Sequence, residues 1–163
     1  STPLIEKALQ LKFLSKENGQ LSITLKGKEW IEKTFEEKAM DLYFHTLSSH
    51  RYYSEAEVDQ EYSDREIREV EKSLKVAINS NWIYFDDFVK GVTAAIGEFK
   101  PVSLKQKGKR WAYATPTYGR KEHEFIHSVI FGHLFECGMV MVGSDNKRDC
   151  FAVTPFGKSF LSD

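Results

Sequence analysis

Apolar positions recur in two rhythms along this chain, one of three to four residues and one of two. The stretch from Lys121 to Leu161 shows both. Phe125, Ile126, Val129, Ile130 and Leu134 share one face at helical spacing. Gly138 follows and can take the left-handed conformation that ends a helix. Met139 to Val142 is an apolar run suited to a buried strand, and Gly143-Ser144-Asp145-Asn146 supplies turn chemistry. Cys150 to Val153 returns as a second strand. Thr154 then caps a helix whose first residue is Pro155, where a missing N–H costs nothing.

The same ending occurs once before. An amphipathic helix over residues 3–13 carries Leu4, Ile5, Ala8, Leu9 and Leu11, and Leu14 to Lys16 leads into Asn18-Gly19, a strong hairpin turn. Gln20 to Ile23 returns, Thr24 caps, and a helix runs from Leu25 to Lys33. Residues 23–31 and 153–161 both read aliphatic-Thr-x-x-Gly-Lys-x-aromatic-aliphatic, at a constant offset. Thr34 opens a capping box and a helix through about Leu47. Residues 48–62 form a polar connection with helix from Ser54, and Ser63 opens another capping box. The helix it starts buries Ile67, Val70, Leu74, Ala77 and Ile78; Asn79-Ser80-Asn81 breaks it. Trp82-Ile83-Tyr84 is a short extended run, and Asp86 begins a helix to about Ile96. Residues 97–121 show no clear period and read as a long loop.

Helix, tight hairpin and capped helix, in that order, make the back half of a winged-helix domain. The pattern therefore predicts an α+β chain, mostly helical with short β-hairpin wings, of tandem winged-helix type. Its expected parts are a partial unit with a linker helix over 1–47, a linker over 48–62, and a complete domain over 63–163 with the long loop 97–121 inside it. The first unit lacks leading helices, and the chain starts at Ser1 instead of methionine. Both features suggest a fragment of a longer protein.

Composition narrows the class. Hydrophobic content of 41% and charged content of 29% are ordinary for a globular protein. No apolar run approaches the roughly 18 residues needed to span a bilayer, and no signal-peptide pattern is present. A cytoplasmic location and no membrane partner are the expectation. Cys137 ends a helix and Cys150 lies on a strand opposite the region of Val142, so no disulfide is expected.

Charge is segregated although the net value is −1. Glu55, Glu57, Asp59, Glu61, Asp64, Glu66, Glu69 and Glu71 crowd one stretch against Arg65 and Arg68. Lys100, Lys105, Lys107, Lys109, Arg110, Arg120 and Lys121 crowd another that holds no acid. Such runs are commonly solvated faces, and these two could pair with each other. Trp111, Tyr113 and Tyr118 are interleaved with the bases and Phe99 adjoins them. Cations for phosphates and rings for bases are what holds single strands, so Lys105, Lys107, Lys109, Arg110, Trp111, Tyr113, Arg120 and Lys121 are candidate nucleic-acid contacts. The alternative is rings packing a loop onto the core.

One string suggests catalysis. His123-Glu124-Phe125-Ile126-His127 fits H-E-x-x-H, in which two histidines one turn apart bind zinc and the glutamate acts as base. His133 stands where a third ligand could fall. At about 100° per residue, however, His133 lies roughly 100° from the midpoint of the other two and points into the apolar stripe. A glycine bend is also missing, because Ile130 occupies that position. Zinc hydrolysis is the minor alternative, and neither a metal nor another cofactor is expected.

The face of the same helix opposite the core presents Glu124, His127, Ser128, Phe131 and Phe135, with no Lys or Arg between Glu122 and Gly138. Readers of duplex DNA set positive charge and donors against phosphates and base edges. Glu124, His127, Phe131 and Phe135 suit a protein interface better. Finally, Leu9-x-x-x-Phe13-Leu14, Gly19-x-Leu21-x-Ile23-Thr24-x-x-Gly27-x-x-Trp30-Ile31 and the following Phe35-Glu36-Glu37 resemble bacterial winged-helix regions that accompany XPB-type helicases. Residues 82–88, Trp-Ile-Tyr-Phe-Asp-Asp-Phe, are similar to the start of their next winged helix. The resemblance implies a DNA-associated setting. No G-x-x-x-x-G-K-[ST] loop is present, so a motor would lie elsewhere. The expected role is a non-enzymatic interaction module, with other domains of a parent protein or a protein partner, and DNA as the alternative partner.

Overall fold

The computed structural model describes residues 3–47, 63–97, 103–114 and 117–162. The chain is mixed α+β with small antiparallel sheets. It divides into two compact units, Ser1–His45 and Thr46–Asp163. The expected linker 48–62, with its acids, and Phe99 and Lys100 lie outside the described residues.

In the first unit, helix α1 (Pro3–Gln10) leads to strands β1 (Leu14–Glu17) and β2 (Gln20–Ile23), then α2 (Leu25–Glu32) and α3 (Phe35–Leu47). Asn18 and Gly19 both have positive φ at the turn, as a two-residue hairpin matched to strand twist requires. The ring of Trp30 on α2 stacks on Phe13 at 4.7 Å, joining the end of the hairpin to the helix after it.

The second unit begins with α4 (Asp64–Ser73), capped by the expected Ser63–Glu66 box and continued by a tight 3₁₀ turn, Leu74–Ala77. Ile67, Val70, Leu74 and Ala77 are buried as the periodicity predicts. Strand β3 (Ile83–Tyr84) follows, then α5 (Phe85–Gly91). The sequence suggests helix as far as Ile96, but α5 stops at Gly91. Val92 takes extended φ and ψ, and Val92, Ala94 and Ile96 are buried beyond the helix. Residues 97–121 are not the unstructured loop expected. They contain an antiparallel hairpin, β4 (Ser103–Lys107) and β5 (Arg110–Ala114), and helix α6 (Arg120–His127) has already begun at Arg120. The hairpin escapes a periodicity search because neither of its faces is buried, so no apolar alternation marks it.

A π-helical stretch, Ser128–Leu134, continues α6. Strands β6 (Val140–Asp145) and β7 (Arg148–Val153) come next, then α7 (Pro155–Leu161). The turn is shifted from the expected position: Gly143 and Ser144 belong to β6, and Asn146 and Lys147 carry the positive φ values. Strand β3 pairs with β7, giving a three-stranded sheet in the order β3-β7-β6. Phe125, Ile126, Val129, Ile130, Leu134, Met139, Phe151 and Val153 are buried together with α4 and α5 residues, which places the core of this unit under the sheet.

The repeated ending is repeated in its hydrogen bonds. Thr24 accepts from the Gly27 N–H through its hydroxyl and donates to the carbonyl of Lys12, while its own N–H reaches the Phe13 carbonyl. Thr154 does the same with Gly157, Gly138 and Met139. One threonine thus caps the coming helix and ties it to the exit of the preceding one, where Lys12 and Gly138 both have positive φ. The glycine three residues on is required by space. A Cβ on Gly27 would lie 2.2 Å from the Phe13 oxygen, and one on Gly157 2.0 Å from the Met139 oxygen. T-x-x-G is therefore a helix-to-hairpin-to-helix clasp, and the last turns of α1 and of the α6 segment enter it alike: Phe13 N–H bonds Ala8, and Met139 N–H bonds Leu134.

Candidate functional site

The antiparallel register decides what the basic stretch can do. Ser103 faces Ala114, Leu104 faces Tyr113, Lys105 faces Ala112, Gln106 faces Trp111 and Lys107 faces Arg110. Directly opposed residues share a face and successive residues alternate. Lys105, Lys107 and Arg110 therefore project from one face, and Leu104, Gln106, Trp111 and Tyr113 from the other. Lys109 sits in the turn beside Gly108, whose φ of +66° is left-handed. Cations and rings that alternate in sequence are thus separated by the thickness of the sheet. The expectation that they form one mixed surface is corrected on this ground.

Both faces are solvent-exposed. Trp111 is 66% exposed, Tyr113 80% and Leu104 58%, and the four cations are exposed as well. Among the described residues the strands pair only with each other, as a separate two-stranded sheet. The base of this excursion is held on both sides. The Gly97 N–H donates to Glu66 Oε1 at 2.7 Å on the outgoing leg. On the return leg, buried Tyr118 donates through its hydroxyl to the Ala94 carbonyl at 2.7 Å. Burial pushes the Tyr118 phenol up to about 12. The ring expected to bind nucleic acid or pack a loop is, in Tyr118, buried and bonded to the backbone that follows α5.

Arg120 and Lys121 stand apart from the hairpin, on the first turn of α6 after the Gly119 cap. Arg120 bonds Glu124 at 2.7 Å, so Glu124 is paired along its own helix. The remaining α6 candidates do not form a bare acidic-aromatic face. His127 Nε2 lies 2.9 Å from Asp149 on β7, and its ring stacks on Phe131 at 4.2 Å. Phe131, expected to be exposed, is half-buried among Phe85, Phe151 and His127, with edge-on contacts at 5.8 Å to Phe85 and 6.1 Å to Phe151. It lies in the π-helical stretch, where i→i+5 bonding rotates each residue by a smaller angle than in an α-helix, so the facing read at α-helical spacing does not hold there. Phe135, at 48% exposed, remains on the surface.

The three histidines of the H-E-x-x-H string and its extension go to different surroundings. His123 faces the edge of Phe85, His127 meets Asp149, and His133 is 1% exposed beside Glu71, 3.6 Å away, which in turn takes Arg68 at 2.8 Å. Among the described residues, no group of three or more histidine, cysteine, aspartate or glutamate side chains is placed to hold a metal ion. Cys137 and Cys150 are free thiols.

Sequence reasoning missed one cluster. Arg148 on β7 bonds Asp87 on α5 at 2.9 Å and lies over the Tyr84 ring at 3.8 Å, while Tyr84 donates to Asp145. Lys90 also bonds Asp87 at 2.6 Å, and these two cations hold the Asp87 carboxyl below its ordinary range. The bond to Asp145 holds the Tyr84 phenol above its own. Only the pairing of β3 with β7, which sets Tyr84 opposite Cys150, brings these distant residues together. Nothing in their spacing announces it. Comparison with family models, curated proteins and solved structures finds no match to this chain.

Proposed function

We propose that this chain is a tandem winged-helix interaction module of a larger DNA-associated protein, acting by binding and not by catalysis. The order helix, strand, helix, helix, strand, strand in the second unit, with β3-β7-β6 pairing, supports the winged-helix reading. The β4–β5 hairpin is then an insertion between its second and third helices, and the clasp shared by Thr24 and Thr154 makes the first unit a shortened relative. Metal-dependent hydrolysis has no support in the placement of His123, Glu124 and His127.

The two candidate surfaces take different partners. Nucleic acid belongs to the hairpin and protein to the exposed flank of the third helix around Phe135. The distribution of cations carries this reading: Lys105, Lys107, Lys109 and Arg110 lie within twelve residues that hold no acid, and none occurs between Glu122 and Gly138. Polyanion binding is driven by counterions that such cations release. Hydrogen exchange with and without a DNA duplex tests it. Protection on residues 103–114, with 121–136 unchanged, is the expected result. Protection confined to 121–136 would reverse the assignment of surfaces.

A further inference from the structure

We infer that the β4–β5 hairpin recognises the end or the fork of a nucleic-acid duplex in preference to its continuous length. The inference rests on the reading of the hairpin as the nucleic-acid surface, and it follows from the split between its faces. Lys105, Lys107 and Arg110 are on one side; Leu104, Trp111 and Tyr113 are on the other. A continuous duplex lying on the basic face satisfies the cations but leaves Trp111 and Tyr113 in water, at 66% and 80% exposure. A single strand on the ring face stacks its bases and carries its phosphates away from the cations. Single-strand binders place both kinds of contact along one groove, and this register forbids that arrangement.

A duplex that ends or opens presents the two chemistries at an angle. Its last base pair offers a flat apolar face, and the departing strand carries phosphates past it. The base pair stacks on Trp111 and Tyr113, with Leu104 beside them. The strand then turns over the hairpin tip, where Lys109 follows Gly108, and reaches Lys107 and Arg110 on the far face.

The test is competition against a fluorescently labelled forked DNA bound to the full chain. The competitors are unlabelled fork, single strand of the same composition, and relaxed closed-circular duplex, compared per phosphate. The fork should compete about tenfold better than the circle, within the range of one or two stacked bases. Trp111→Ser with Tyr113→Ser should abolish that preference and leave affinity for the circle unchanged. Trp111→Phe with Tyr113→Phe should keep it, since phenyl rings still stack. Equal competition by fork and circle, or a preference that survives the serine pair, overturns the inference while the nucleic-acid reading stands. Failure to bind any DNA at low salt removes both, and displacement of the fork by an acidic peptide at lower concentration than by any of the three DNAs would make the basic face a protein site.

Discussion

At the scale of single residues, stability turns on where a methyl group or a hydroxyl has room. Gly157 is helical, and propensity alone would have alanine stabilise that helix by about 1 kcal/mol. The Met139 oxygen 2.0 Å from the added Cβ reverses the sign. Gly157→Ala should cost about 3 kcal/mol, at the upper end for an overpacked site. Gly132→Ala, where nothing lies within 4 Å, should be neutral or stabilise by up to about 1 kcal/mol. Thermal or denaturant melts of both variants check the contrast. Thr154→Ala should cost at least about 1 kcal/mol, because it removes a cap and the bonds to Gly138 and Met139 together. Tyr118 adds a pH dependence. Its folded pKa of about 12 lies above the ordinary 10, so the folded state retains the proton longer than the unfolded chain. Stability contributed by the neutral phenol is complete below pH 10 and is lost as pH rises toward 12. Tyr118→Phe should remove that slope in denaturant melts between about pH 9 and 12, and a slope unchanged in the variant would assign it to another group.

At the scale of elements, most helices and the β1–β2 and β6–β7 hairpins are legible in the sequence because they are amphipathic or carry turn chemistry. Ser63 and Glu66 announce α4, Asn18-Gly19 announces the first hairpin, and Thr154-Pro155 announces α7. The β4–β5 hairpin is not legible. Alternation reveals a strand only when one face is buried, and here Lys105 and Leu104 both stand in water. The shifted wing turn has a related cause. Gly143-Ser144 looks like a turn, yet Gly143 pairs with Cys150 inside the sheet, and the Trp82 ring is 3.3 Å from where its Cβ would be. Candidate residues are easier to read than their neighbours. The cations stand out by charge alone, while their separation from Trp111 and Tyr113 depends on register, which composition does not encode. The β6–β7 hairpin is held by Tyr84, Asp87 and Arg148, and each of these interactions is exposed, so its value is local. Arg148→Ala should raise hydrogen exchange at the β6–β7 turn while changing global stability by under about 1 kcal/mol, as expected for surface ion pairs. A loss of several kcal/mol would mean the cluster supports the core.

At the scale of the whole molecule, a net charge of −1 conceals a strongly uneven distribution, and function follows the distribution. Among the described residues no helix is long and apolar enough to cross a membrane. On the proposed winged-helix reading the α6 segment is the third helix, yet Phe131 and His127 are engaged with Phe85 and Asp149, and among the described residues Phe135 is left as its large exposed apolar group. The β4–β5 hairpin carries Lys105, Lys107, Lys109 and Arg110, whereas the α6 segment has Lys and Arg only on its first turn, at Arg120 and Lys121. The most direct test is the salt dependence of DNA affinity for the wild-type chain, for Lys105, Lys107, Lys109 and Arg110 changed together to serine, and for Phe135→Ser. The quadruple change should weaken binding and flatten the slope of log affinity against log salt by up to about 3.6, about 0.9 for each of four phosphates no longer neutralised. Phe135→Ser should leave both unchanged. A slope that survives the quadruple change, with affinity abolished on replacing Phe135, would contradict the account.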